Sequence, residues 1–215
     1  MIDKLMRKQM TAILAVHIIL LAYMAVVLFS GSPYLFLNWN LLLAIIPFDC
    51  ALLTVWLYRQ GYSRIWVGLA ALVWLAFYPN TVYMLTDFIH LNDIGNAINS
   101  QMQVFNYSLL TGAIFFGVFL GLASSELILV ELFPTIKHRW QIVLAALLSF
   151  LSAFGIFLGR YLRLNSWDIV SRPKILLGQM KDVVLNQTGF AVSFVLILGL
   201  TQLSLMAIYH YLKEN

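Results

Sequence analysis

Charge is what this sequence has least of. Asp, Glu, Lys and Arg make up 10% of the 215 residues and hydrophobic residues 62%, whereas a soluble domain carries about 25% charged and 45–50% apolar residues. A larger core does not explain that shift, because a water-facing surface needs charge to stay solvated. Apolar runs of roughly 18 residues or more recur along the whole length, as in segments that cross a bilayer. Cysteine is nearly absent: Cys50 stands alone in an apolar segment, so it forms no internal disulfide or thiolate cluster and reads as a small packing residue. HExxH, paired CxxC, Gly-x-Ser-x-Gly and phosphate-loop patterns are all missing. Hydrolases and nucleotide-driven pumps therefore have no direct support, and neither a cofactor nor a metal is expected.

Six spans are predicted, over residues 11–29, 38–58, 65–78, 104–130, 140–158 and 190–212. The fold class expected is all-α, a polytopic membrane bundle of six transmembrane helices. With no linker, low-complexity stretch or convincing repeat, residues 1–215 read as a single transmembrane domain. The first run is longer than the apolar core of a signal peptide, about 7–15 residues, and reads as a retained helix.

The net charge is +4, from 13 Lys and Arg against 9 Asp and Glu. In a membrane chain such an excess reports orientation, and no basic, aromatic-interleaved run argues for nucleic acid. Placing both termini in the cytoplasm puts Lys4, Arg7, Lys8, Arg59, Arg64, Lys137, Arg139 and Lys213 inside. The first two outer loops then carry no Lys or Arg. The third, residues 159–188, breaks the rule with Arg160, Arg163, Arg172, Lys174 and Lys181, offset in part by Asp168 and Asp182. Within it Ile175, Leu176, Met180, Val183 and Val184 recur at helical spacing. They predict a short amphipathic outer helix between the fifth and sixth spans, either lying at the interface or capping the bundle.

The third span is short. Fourteen residues cover about 21 Å, less than a hydrocarbon core near 30 Å, before Pro79 removes a donor and disfavours helix at Tyr78. The helix is expected to break there unless it continues, kinked, through residues 81–85. Non-helical backbone at that depth needs protein or a water-filled cavity around it, which would place Asp87 and His90 in a pocket.

Ionisable groups inside a bilayer are expensive and so are candidates for function. Asp49 lies near the midplane. It is eleven residues from Asn38, hence on the same helical face, and beside Pro47, which frees a carbonyl; the structural alternative is a neutral Asp bonded to a neighbouring helix. His17 reads as a satisfied core histidine and Glu126 as a snorkelling residue. Tyr83, Asp87 and His90 would share one helical face. Arg160 and Arg163 would share another, as forks suited to phosphate or carboxylate. An interhelical salt bridge from Asp87 or Asp168 to Arg160 or Arg163 is the structural alternative.

Three blocks carry a resemblance. They are Asn40-Leu41-Leu42-Leu43-Ala44 with Pro47; Tyr78-Pro79-Asn80 with Tyr83 and Thr86-Asp87-Phe88-Ile89-His90-Leu91; and Gly159-Arg160-Tyr161-Leu162-Arg163-Leu164-Asn165-Ser166-Trp167-Asp168. Together they resemble an uncharacterised bacterial membrane-protein family, domain of unknown function 1361, over roughly residues 35–175. The resemblance implies a multi-pass protein of the bacterial cytoplasmic membrane with unassigned activity. The partners expected are the bilayer, an anionic lipid or small anion, and a membrane protein. Three functions remain open. A binding or transport protein would use Asp49, Asn80, Tyr83, Asp87, His90, Arg160, Arg163 and Asp168 as an outward-facing polar site. An assembly subunit would use them only for packing. A membrane enzyme acting on a lipid-linked substrate would use Asp87 or His90 as base and Arg160 as charge stabiliser.

Overall fold

The computed structural model describes residues 2–95, 100–163 and 171–214, and these are overwhelmingly helical, with no strand among them. In chain order they form α1 (Ile2–Phe29), α2 (Phe36–Arg59), α3 (Arg64–Phe77), α4 (Pro79–Tyr83), a 3-10 helix (Met84–His90), α5 (Leu91–Ile94), α6 (Gln101–Leu132), α7 (His138–Arg160), α8 (Pro173–Asn186) and α9 (Thr188–Glu214). Six stretches are long and apolar enough to cross a membrane: Met10–Phe29, Phe36–Arg59, Arg64–Ile94, Gln101–Leu132, His138–Arg160 and Thr188–Lys213. The protein is a multi-pass integral membrane protein. Its helices run alternately up and down, so one end of the bundle carries Arg59, Glu126 and Lys213 and the other carries Asp87 and Arg160.

α6 is apolar around its whole circumference, and such a helix is stable only when enclosed. It lies at the centre, packed against α2, the 3-10 helix, α4 and α9. Its start is fixed locally. Ser100 Oγ accepts from the Gln103 backbone N–H at 3.2 Å while Gln103 Oε1 accepts from the Ser100 N–H at 3.0 Å, a reciprocal cap worth about 1 kcal/mol. α3 packs on α2, and α7 pairs with α9. α1 is the outlier, packing chiefly on α2 with only 11% of its most apolar stretch buried.

The third span does not stop at the proline. Tyr78 keeps helical torsions (φ −52°, ψ −40°), and Pro79 opens a new short helix as its first residue, where its missing N–H costs nothing. The chain then continues as α4, the 3-10 helix and α5 to Ile94, a path on the order of 50 Å that exceeds the bilayer core. Two side chains repair the break. Asn80 Nδ2 donates to the Phe77 carbonyl at 2.9 Å and Thr81 Oγ1 to the Tyr78 carbonyl at 2.8 Å. Tyr78 itself is fully buried, its hydroxyl accepting from Gln202 Nε2 at 2.9 Å. Carbonyls freed at membrane depth must find such donors.

α8 is the short amphipathic helix expected between the last two spans. Val183 on its buried face packs with Phe157 and Ala191, while Ile175, Leu177 and Leu185 remain exposed.

Candidate functional site

Among the described residues at the end of the bundle carrying Arg160, a polar cluster is built on the 3-10 helix. At three residues per turn, Met84, Asp87 and His90 eclipse one another on a single face. Met84 and Asp87 are fully buried and His90 is partly exposed. Opposite this face stands the first turn of α2, where Phe36 and Asn40 are also one turn apart. Asn40 Nδ2 donates to Asp87 Oδ2 at 2.6 Å, and the Phe36 ring lies 4.5 Å from that of His90. His90 Nδ1 is 2.9 Å from Asp93 Oδ2. Nearby, burial and then the Asp93 carboxylate raise the Tyr34 phenol above its ordinary value.

Arg160 closes the cluster from α7. It is the last residue of that helix, and helical side chains lean toward the N-terminus, so its guanidinium folds back into the bundle. Nη1 lies 3.2 Å from Asp87 Oδ1 and donates to the Tyr83 hydroxyl at 2.9 Å; Nη2 donates to the Thr86 carbonyl at 2.8 Å. The guanidinium carbon also sits 5.1 Å from the Tyr83 ring centre. Asp87 has no exposed surface, whereas the Arg160 side chain is 26% exposed. Two groups are left incomplete. Asp87 Oδ1 is ion-paired but accepts no aligned hydrogen bond, and Arg160 Nε donates to no partner among the described residues.

Tyr83 contributes both a hydroxyl and a ring to Arg160. Changing Tyr83→Phe removes the acceptor and keeps the ring, so a loss of about 0.5–1.5 kcal/mol is expected. Thermal unfolding in detergent checks this; a variant as stable as the wild type would mean that the hydroxyl contributes nothing.

The remaining sequence candidates scatter. The eleven-residue spacing does put Asn38 and Asp49 on one face, but that face meets α1. Asn38 Nδ2 donates to the Met24 carbonyl at 3.2 Å, and Asp49 Oδ1 pairs with His17 Nε2 at 3.1 Å. Asp49 is nine residues from Asn40, half a turn out of phase, so it points away from Asp87. Asn80 is spent on the helix break. The expected common face of Tyr83, Asp87 and His90 presumes α-helical spacing. The 3-10 turn keeps Asp87 with His90 and rotates Tyr83 toward α7. Arg163 lies beyond the end of α7 with φ +56° and is exposed, so it shares no helical face with Arg160. Asp168 lies outside the described residues.

Several groups at the two ends of the bundle carry no signal in the sequence. In the sequence Asn40 stands out only as part of a block, yet it is the second partner of Asp87. At the opposite end Glu126 is 8% exposed, not snorkelling, and lies 3.1 Å from His210 Nδ1 and 3.5 Å from Lys213 Nζ. Arg59 Nε and Nη2 donate to Glu131 at 3.2 and 2.6 Å. No trio of His, Cys, Asp or Glu among the described residues is grouped to hold a metal.

A family model described as protein of unknown function (DUF1361) matches residues 39–205. No curated protein and no solved structure matches the chain.

Proposed function

The chain belongs to the DUF1361 family, and from that premise and the Arg160 geometry we propose that it is a binding or transport protein for anionic groups at the membrane surface. The observation that carries this reading is the state of Arg160: fixed by Asp87, Tyr83 and the Thr86 carbonyl, a quarter exposed, and with Nε still to donate. A guanidinium held by one carboxylate and open along an edge is suited to a phosphate, which it meets with parallel donors. Exposed Arg163, Lys174 and Lys181 add positive charge nearby along the chain, as in headgroup recognition. The ligand class is an anionic lipid headgroup or a small anion.

We place the protein in the bacterial cytoplasmic membrane with this site outward. Eight of the 13 basic residues support that orientation by lying at or beyond the opposite end. Asp87 closing on Arg160 favours a second reading, an assembly subunit in which the cluster only locks three elements together.

The two readings part on Arg160→Lys, which keeps a cation for Asp87 but has no guanidinium edge. Phosphatidylglycerol and phosphatidylcholine would be titrated onto purified protein and followed by native mass spectrometry. Binding predicts preference for phosphatidylglycerol in the wild type and about a tenfold loss in Arg160→Lys, equivalent to 1.4 kcal/mol, at a similar melting temperature. Equal retention by both proteins, or of both lipids, would favour the assembly reading.

A further inference from the structure

The His17–Asp49 pair takes no part in the Arg160 site, and its position is costly. Asp49 lies thirteen residues into the 24-residue α2, about 20 Å along the helix, and His17 is near the middle of the first span; both are at the bilayer midplane. Yet the His17 side chain is 35% and the Asp49 side chain 47% exposed on the outside of the bundle, where the surroundings are hydrocarbon. Ionisable side chains at that depth ordinarily face protein or water, because exposing them to lipid is costly.

The flanking surface has the form of a helix-packing seam. On α1, Leu14, Leu21 and Leu28 repeat every seven residues at 60, 63 and 56% exposure. On α2, Leu42 and Trp56 stand seven residues either side of Asp49 at 41 and 50% exposure. A seven-residue repeat keeps one stripe facing a neighbouring helix, and a polar residue on the stripe sets register. α1 is otherwise thinly held by its own chain.

We propose that the α1–α2 face is the contact between two copies of this chain, with the His17–Asp49 pair of each covered by that of the other. Charge complementarity selects the occupant. Two copies inserted in the same sense are related by a two-fold axis along the membrane normal, which brings residues of equal depth together. Each copy supplies one imidazole and one carboxylate at one level. Across the axis the imidazole of one copy then faces the carboxylate of the other, and four polar groups leave the lipid together.

Disulfide capture in native membranes tests this, in a Cys50→Ser background. Leu21→Cys on the seam is expected to give a cross-linked dimer under mild oxidation, whereas Leu72→Cys, 63% exposed on α3, does not. Adding His17→Leu and Asp49→Leu together should cut the Leu21→Cys yield about tenfold, a 1.4 kcal/mol loss of association, while the melting temperature of the isolated chain holds. Equal yields at Leu21→Cys and Leu72→Cys would overturn the proposal, as would a yield indifferent to the double substitution.

Discussion

Replacing Arg160 with alanine is expected to destabilise the bundle by about 3–5 kcal/mol, the range seen when one partner of a buried ion pair is removed. Asp87 is the reason. Its carboxylate has no exposed surface, and Asn40, which donates it a hydrogen bond, is neutral. The same change strips the Tyr83 hydroxyl and the Thr86 carbonyl of their donors. Most of the loss is thus the penalty of a stranded charge rather than the net worth of the pair, and that distinction can be measured. Adding Asp87→Asn to Arg160→Ala removes the stranded charge and keeps a polar group facing Asn40. The double variant is therefore expected to be more stable than Arg160→Ala alone. Denaturant or thermal unfolding in mild detergent would report both. A loss below about 1 kcal/mol for Arg160→Ala would instead describe a solvent-screened surface pair, contrary to the burial of Asp87.

How far this arrangement is legible in the sequence depends on whether a feature is periodic. The six spans are, because twenty or so apolar residues are needed to cross the core and nothing soluble needs them in such numbers. The shared face of Asn38 and Asp49 is periodic too, and it holds. What that face meets is not, since His17 and Met24 are brought there by the packing of α1. The third span shows the same division. Pro79 marks the break, but continuation depends on Asn80 and Thr81 capping the freed carbonyls and on Gln202, more than a hundred residues away, holding Tyr78. Asp87 with Arg160 could be named as one of several candidate bridges, because buried charges need partners. Asn40 could not be singled out, because a neutral amide near the start of a span looks like any interfacial residue. Glu126 misleads for the opposite reason. Being close enough to the surface to snorkel, it gives no hint in the sequence that His210 and Lys213 hold it inside.

A close approach between helices sits beneath the site, and Gly121 permits it. A methyl group added there would meet Thr81 Oγ1 and come within 2.8 Å of Thr81 Cβ. Thr81 cannot swing away cheaply, since its hydroxyl is bonded to the Tyr78 carbonyl at the break and the side chain is fully buried. Gly121→Ala is therefore expected to cost about 1–3 kcal/mol by overpacking, with Gly121→Val costing more. Gly117 provides the contrast. A methyl there would meet the Met84 sulfur, the flexible part of an adaptable side chain, so Gly117→Ala should cost clearly less. Adding Thr81→Ala to Gly121→Ala should restore only part of the loss, because the hydroxyl is gone but Cβ remains. Any relief by displacement must move α4, which ends at Tyr83 and leads directly into the turn carrying Asp87. Gly121→Ala is thus expected to weaken phosphatidylglycerol retention as well as stability, though it touches neither Arg160 nor Asp87. Small residues at membrane helix contacts serve this close approach. Equal melting temperatures for Gly121→Ala and Gly117→Ala would show that α4 is not pinned against α6 and that the site is positioned from the α2 and α7 sides alone.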